Sequence, residues 1–148
     1  RQYGIVKMSS ININKRVKDN LTLLEGDKVY FHHHVIDERM ASQFGGENIY
    51  KVHYDQIYCY VRDGKITMTQ DYVFVKPIQT EDKIKNIYIE SKESTKKGIV
   101  AHTNKFSKQE GFGVGDEIVF IKNANYDMVI EGERLFRMKN NEILCKIN

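Results

Sequence analysis

The sequence predicts an all-β chain organised as two small β-barrel modules in tandem. Three observations carry that prediction. Short β-branched and aromatic runs recur along the chain, no stretch places apolar residues at helical spacing, and the second half repeats the first block by block. With 148 residues and 17.3 kDa, the chain suffices for one ordinary domain or two small ones.

The strands are punctuated by turn chemistry. Lys28-Val29-Tyr30-Phe31 and Ile118-Val119-Phe120-Ile121 are short apolar runs, each announced by a Gly-Asp pair that turns the chain sharply. Gln56-Ile57-Tyr58-Cys59-Tyr60-Val61 reads as a strand that buries Ile57, Cys59 and Val61 and turns Tyr58 and Tyr60 to the other side. It ends at Asp63-Gly64, a hairpin signal, and Lys65-Ile66-Thr67-Met68-Thr69 returns as its partner. Asp71-Tyr72-Val73-Phe74-Val75-Lys76 is a further strand. Pro77 has no N–H to give a ladder and is expected to end it.

Four blocks recur in the same order. Gly4-Ile5-Val6 matches Gly98-Ile99-Val100, and Glu25-Gly26-Asp27-Lys28-Val29-Tyr30-Phe31 matches Val114-Gly115-Asp116-Glu117-Ile118-Val119-Phe120. Ile49-Tyr50-Lys51-Val52 then matches Leu135-Phe136-Arg137-Met138, and Asp55–Val61 matches Asn141–Ile147. The spacing between copies shortens along the chain, as insertions in surface loops produce. The expected modules are residues 1–69 and 70–148. The second copy carries residues 71–97 ahead of its Gly98, whereas almost nothing stands ahead of Gly4. The first module is therefore expected to be N-terminally incomplete, with an opening strand and a loop lying upstream.

Charge and composition exclude several function classes. The net charge of +3 is spread over interspersed signs, and Lys83, Lys85, Lys92, Lys96 and Lys97 alternate with acids, so no phosphate-binding stripe forms. The nine Tyr and seven Phe alternate within strands and are not interleaved with basic residues on one face, so no nucleic-acid partner is expected. No apolar run approaches the ~20 residues of a membrane-spanning helix. Arg1-Gln2-Tyr3-Gly4-Ile5 does not read as a signal peptide, and the expected location is cytoplasmic. Cys59 and Cys145 have no paired spacing and read as small core residues in a reducing compartment.

The second copy, residues 71–148, resembles the GroES-like co-chaperonin family along its whole length. The resemblance rests on the Asp71–Lys76 strand, a loop with an apolar tripeptide, Gly98-Ile99-Val100, the run Val114-Gly115-Asp116-Glu117-Ile118-Val119-Phe120, and the terminal Ile143-Leu144-Cys145-Lys146-Ile147. The first copy carries the later part of that pattern. The resemblance implies a non-catalytic lid that docks on a chaperonin ring, with nucleotide bound by the chaperonin and no cofactor of its own. It places the docking tripeptide at Ile87-Tyr88-Ile89, between the polar flanks Glu81-Asp82-Lys83 and Glu90–Lys97. It also implies a homo-oligomer joined by edge strands, here Val73 and Val75 on one side and Ile143, Cys145 and Ile147 on the other. Members of the family form seven-membered rings, a count that a two-module chain does not divide. The alternative function is structural: a virion component, for example of a bacteriophage, assembling through the same barrel.

Other motifs read more plainly. On a strand, His32 and His34 would share a face and His33 would not, and no Cys or His pair has structural-zinc spacing. With His53 or Asp37 a site could be assembled, but His32–His34 are expected to be a polar strand end with no metal. Gly111-Phe112-Gly113-Val114-Gly115 lacks the following helix of a dinucleotide loop and reads as a turn. There is no G-x-S-x-G elbow, and the acid pairs Asp37/Glu38 and Glu81/Asp82 are adjacent in loops, so no enzyme is expected.

Overall fold

The computed structural model describes residues 2–8, 23–80, 83–84, 87–88 and 92–147. Among these the regular structure is antiparallel strand, apart from 3-10 turns at Glu38–Met40, Tyr54–Gln56 and Asn140–Glu142. The chain forms two compact units, Arg1–Gln70 and Asp71–Asn148.

In the first unit β1 (Tyr3–Ile5), β2 (Lys28–Phe31), β5 (Ile57–Arg62) and β6 (Lys65–Met68) make one sheet in the order β1-β2-β5-β6. β3 (Ser42–Phe44) and β4 (Glu47–Ile49) form a separate hairpin. The Asp63-Gly64 turn has φ of 51° and 75°, the double positive φ that lets a two-residue loop follow the twist of its strands. Tyr58 and Tyr60 are buried as well as Ile57, Cys59 and Val61, so β5 is covered on both faces. The core gathers Leu23, Val29, Phe31, Tyr54, Ile57 and Tyr60. Asp27, the acid of the first Gly-Asp pair, is almost fully buried. Its carboxylate accepts from the Leu24 N–H at 2.8 Å and from Arg62 Nε at 2.8 Å and Nη2 at 2.6 Å.

The second unit is a six-stranded sheet in the order β12-β13-β7-β10-β11-β14. Its strands are β7 (Tyr72–Thr80), β10 (Lys92–His102), β11 (Glu117–Phe120), β12 (Tyr126–Ile130), β13 (Glu133–Lys139) and β14 (Ile143–Ile147). β8 (Lys83–Ile84) and β9 (Ile87–Tyr88) form a small separate hairpin. The core contains Val73, Val75, Val100, Ile118, Phe120, Phe136 and Met138. Beneath it Asn104 and Asn140 are buried together: Asn104 Nδ2 donates to Asn140 Oδ1 at 2.8 Å and to the Tyr72 carbonyl at 2.9 Å. Gly111–Gly115 is a turn ahead of β11, with Phe112 turned into the core. β12 and β14 end the sheet, so the described strands do not close by hydrogen bonding into the expected barrel.

The two units use the same hydrogen-bond register. Gly4 lies opposite Val29 as Gly98 lies opposite Ile118. Tyr30 lies opposite Cys59 as Val119 lies opposite Cys145, and in both ladders the register shifts at the next step, to Phe31–Ile57 and Phe120–Ile143. Val6 N–H donates to Asp27 O as Val100 N–H donates to Asp116 O. A 3-10 turn precedes β5 and β14 alike, each closed by a side chain, Gln56 Oε1 on the His53 N–H at 3.0 Å and Glu142 Oε1 on the Lys139 N–H at 2.9 Å.

Two strand-level expectations change. Pro77 does not end β7, which continues to Thr80. Pro77 sits opposite Gly98, where the β7–β10 register is irregular, so its missing N–H removes little from the ladder. Val73 and Val75 do not stand on a sheet edge. β7 is paired with β13 on one side and β10 on the other, and both valines are fully buried, so their apolar character serves the core.

Candidate partner-binding site

Two features of the second unit bear on partner binding: the connection between β7 and β10, and the edge of β14. The loop is shorter than its polar flanks indicate, because Lys92–Lys97 belong to β10. Its base is paired, Thr80 opposite Lys92 and Gln79 opposite Glu93. Past that point the ladder is interrupted. Ser94 Oγ accepts the N–H groups of Lys97 at 3.1 Å and Lys96 at 3.3 Å, an alternative to strand pairing that accommodates the irregular step before Gly98.

A charge cluster fixes the same base to the β12–β13 hairpin. Arg134 on β13 forms a two-point pair with Glu93, Nη2 to Oε1 at 2.7 Å, and its Nη2 also meets Asp127 Oδ1 at 2.8 Å. The Arg134 guanidinium donates to the Glu93 carboxyl and holds it below the usual carboxylate range, and the same bond raises Arg134 above its ordinary value. The base of the β7–β10 connection is therefore held by backbone pairing and a bidentate ion pair. Neither Glu93 nor Arg134 stands out in the sequence, since their partnership spans 41 positions and leaves no local pattern.

Of the predicted tripeptide, Ile87 and Tyr88 form β9, with Ile87 opposite Ile84 and Tyr88 opposite Lys83. Ile89 lies outside the described residues. The loop thus contains a minimal hairpin, which is neither a wholly irregular loop nor a strand of the main sheet.

On the other side, β14 pairs with β11 alone among the described residues. Its burial contrasts with that of β5, which occupies the same register in the first unit. Cys59 and Tyr58 are buried, whereas Cys145 is exposed and Leu144 is 63% exposed. The expectation of a core cysteine therefore holds for Cys59 and fails for Cys145. The difference is β6, which covers the outer edge of β5 and has no counterpart on β14 among the described residues. Ile143 packs partly against the core, and Ile147 is half-buried. Leu144 is not a candidate on sequence grounds, because an Ile-Leu-Cys-Lys-Ile run reads as a covered strand until its neighbour is found missing.

The second unit thus combines a paired base to the β7–β10 connection with a sheet edge at β14 that is open among the described residues. Residues 65–147 match the family model of the chaperonin 10 kDa subunit. The chain is 32% identical over 88 residues to the co-chaperonin GroES of Rickettsia canadensis (strain McKiel), an alignment covering 53% of this chain and 93% of that protein. This chain belongs to the chaperonin 10 kDa subunit family, and a co-chaperonin-type role follows at that level. The matched segment begins at Lys65, within β6.

Proposed function

We propose that this protein is a tandem co-chaperonin that docks on a chaperonin ring through the tip of its β7–β10 loop and assists folding without catalysis. The family match over residues 65–147, which contains the whole loop and its paired base, carries the reading. Ile87, Tyr88 and Ile89 are the docking residues, and the nucleotide that licenses docking is bound by the chaperonin. Several tips on one ring bind together, so weak individual contacts sum through avidity. Sedimentation of the protein with a bacterial chaperonin and nucleotide tests this. Co-sedimentation that is lost in the Ile87→Asp/Ile89→Asp double variant supports it; no complex, or an unchanged one, overturns it.

The two units are read as two copies of one module, supported by their common register and matching turns. The same comparison supports β14 as the oligomer joint. At the equivalent position β5 is covered by β6, the strand that opens the family-matched segment. A strand contributed by another copy and paired with β14 would shield Leu144 and Cys145 and complete an edge that otherwise presents open backbone groups. Ile143 and Ile147 flank that contact. Sedimentation velocity over a concentration series should show association, reduced by Leu144→Glu. A species that stays monomeric at every concentration would remove the joint.

A further inference from the structure

The three consecutive histidines do not behave as a strand end. β2 stops at Phe31, and residues 32–35 form a turn closed by the Val35 N–H donating to the His32 carbonyl at 3.0 Å. Strand alternation would have sent His33 to the face opposite His32 and His34. The turn instead brings all three imidazoles together, with ring centroids 4.3 Å apart for His32–His33, 5.0 Å for His32–His34 and 3.9 Å for His33–His34. One ring nitrogen from each lies within 4.8 Å of the other two. His53, which the sequence offered as a further ligand, is not in the cluster. Asp37 is committed elsewhere, its two carboxylate oxygens each held by Arg39 at 3.1 Å.

We propose that His32, His33 and His34 form a surface site for one borderline divalent transition-metal ion, with solvent completing its coordination. Imidazole nitrogen is the preferred donor for Zn²⁺, Ni²⁺ and Cu²⁺, and an all-nitrogen set gives no purchase to Mg²⁺ or Ca²⁺. Zn–N bonds of about 2.0–2.1 Å put tetrahedral ligand nitrogens roughly 3.4 Å apart. The cluster must close by little more than an ångström, which rotation of side chains at a half-buried and two exposed positions supplies. His32 Nδ1 accepts the His34 N–H at 3.1 Å, so that nitrogen is unprotonated and bears a lone pair. Ligation there exchanges one local hydrogen bond for a metal bond. The site does not depend on the co-chaperonin reading.

Calorimetric titration of the full chain with ZnCl₂ alone, repeated with NiCl₂, tests the site. The expected result is one ion per chain. His32→Ala, His33→Ala and His34→Ala should each weaken binding roughly tenfold or more, at least what loss of an outer-shell partner costs a metal site, while His53→Ala leaves it unchanged. Circular dichroism checks that each variant is folded. Paramagnetic broadening by Ni²⁺ of the imidazole proton resonances of the unmodified chain gives a readout that needs no variant. Confinement of the broadening to residues 32–34 supports the site. Absence of saturable binding, equal loss in His53→Ala, or broadening spread over all five histidines overturns it.

Discussion

Gly98 and Gly4 occupy the same place in the two units but have different neighbours. A Cβ built on Gly98 would lie 2.2 Å from Val75 Cγ1 and 2.9 Å from the Lys76 carbonyl oxygen. On Gly4 the nearest atoms are those of the Phe31 ring, at 3.5 Å, which is ordinary contact. The added methyl of Gly98→Ala thus falls about 1.3 Å inside the ~3.5 Å at which carbon atoms attract. Val75 cannot move aside cheaply: its χ1 is stiff, it is fully buried, and β7 is hydrogen-bonded on both sides. Overpacking of this kind costs about 1–3 kcal/mol, and with backbone also in the way the upper end applies. Alanine recovers roughly 0.4–1 kcal/mol by restricting the unfolded chain, leaving a net loss of about 2 kcal/mol. Gly4→Ala has the same gain and no clash, so its expected change lies within ~1 kcal/mol of zero. Urea unfolding by circular dichroism gives the magnitudes, and hydrogen exchange of β10–β11 and β1–β2 peptides assigns each change to its unit. Equal destabilisation by the two substitutions would show that the steric argument from Val75 is wrong.

Three further outcomes are expected. Arg62 hydrogen-bonds to Asp27 and holds its carboxyl below the ordinary range, so the pair contributes fully above the unfolded-state pKa of about 4, and that contribution is lost as pH falls through the lower folded value. Arg62→Ala should lower stability at neutral pH and flatten the acid limb of the first unit's stability curve, whereas an unchanged limb would mean the pair is idle. Asn104→Ala strips Asn140 of its buried partner and removes the acceptor of the Phe106 N–H, for an expected loss of about 3 kcal/mol; a loss under ~1 kcal/mol in thermal unfolding would argue against a coupled network. In dilute native protein an aromatic disulfide reagent should modify Cys145 promptly and Cys59 only on unfolding. Protection of Cys145 that grows with protein concentration is the further sign of a covered β14, and two equally reactive thiols would contradict the burial of β5.

What the sequence made legible was local. Gly-Asp before each apolar run and Asp63-Gly64 between two strands encode their turns within a few residues, and each turn appears where it is expected. Edge against centre was not legible, because Val73 and Val75 have the same alternating pattern whether one neighbour flanks β7 or two. Pro77 misled because its cost depends on whether the opposite strand is in register there. The histidines misled because alternation holds only while the chain stays extended, and β2 ends one residue before them. Glu93 and Arg134 left no trace, being partners only in space.

The unequal coverage of β5 and β14 has a consequence for symmetry. Where β5 is covered, it is covered by a different strand, β6, and not by a copy of itself. A joint that repeats that pairing between chains is heterologous: one surface gives, another receives, and every added chain renews the same open edge at its far end. Such contacts end only by closing on themselves, or they continue as a filament. On the tandem reading each chain brings two modules, so any closed ring holds an even number of them. The pitch from module to module must then differ from that of an odd-numbered ring, and a chain blocked at β14 would act as a terminator, halting growth at one end and leaving the other open.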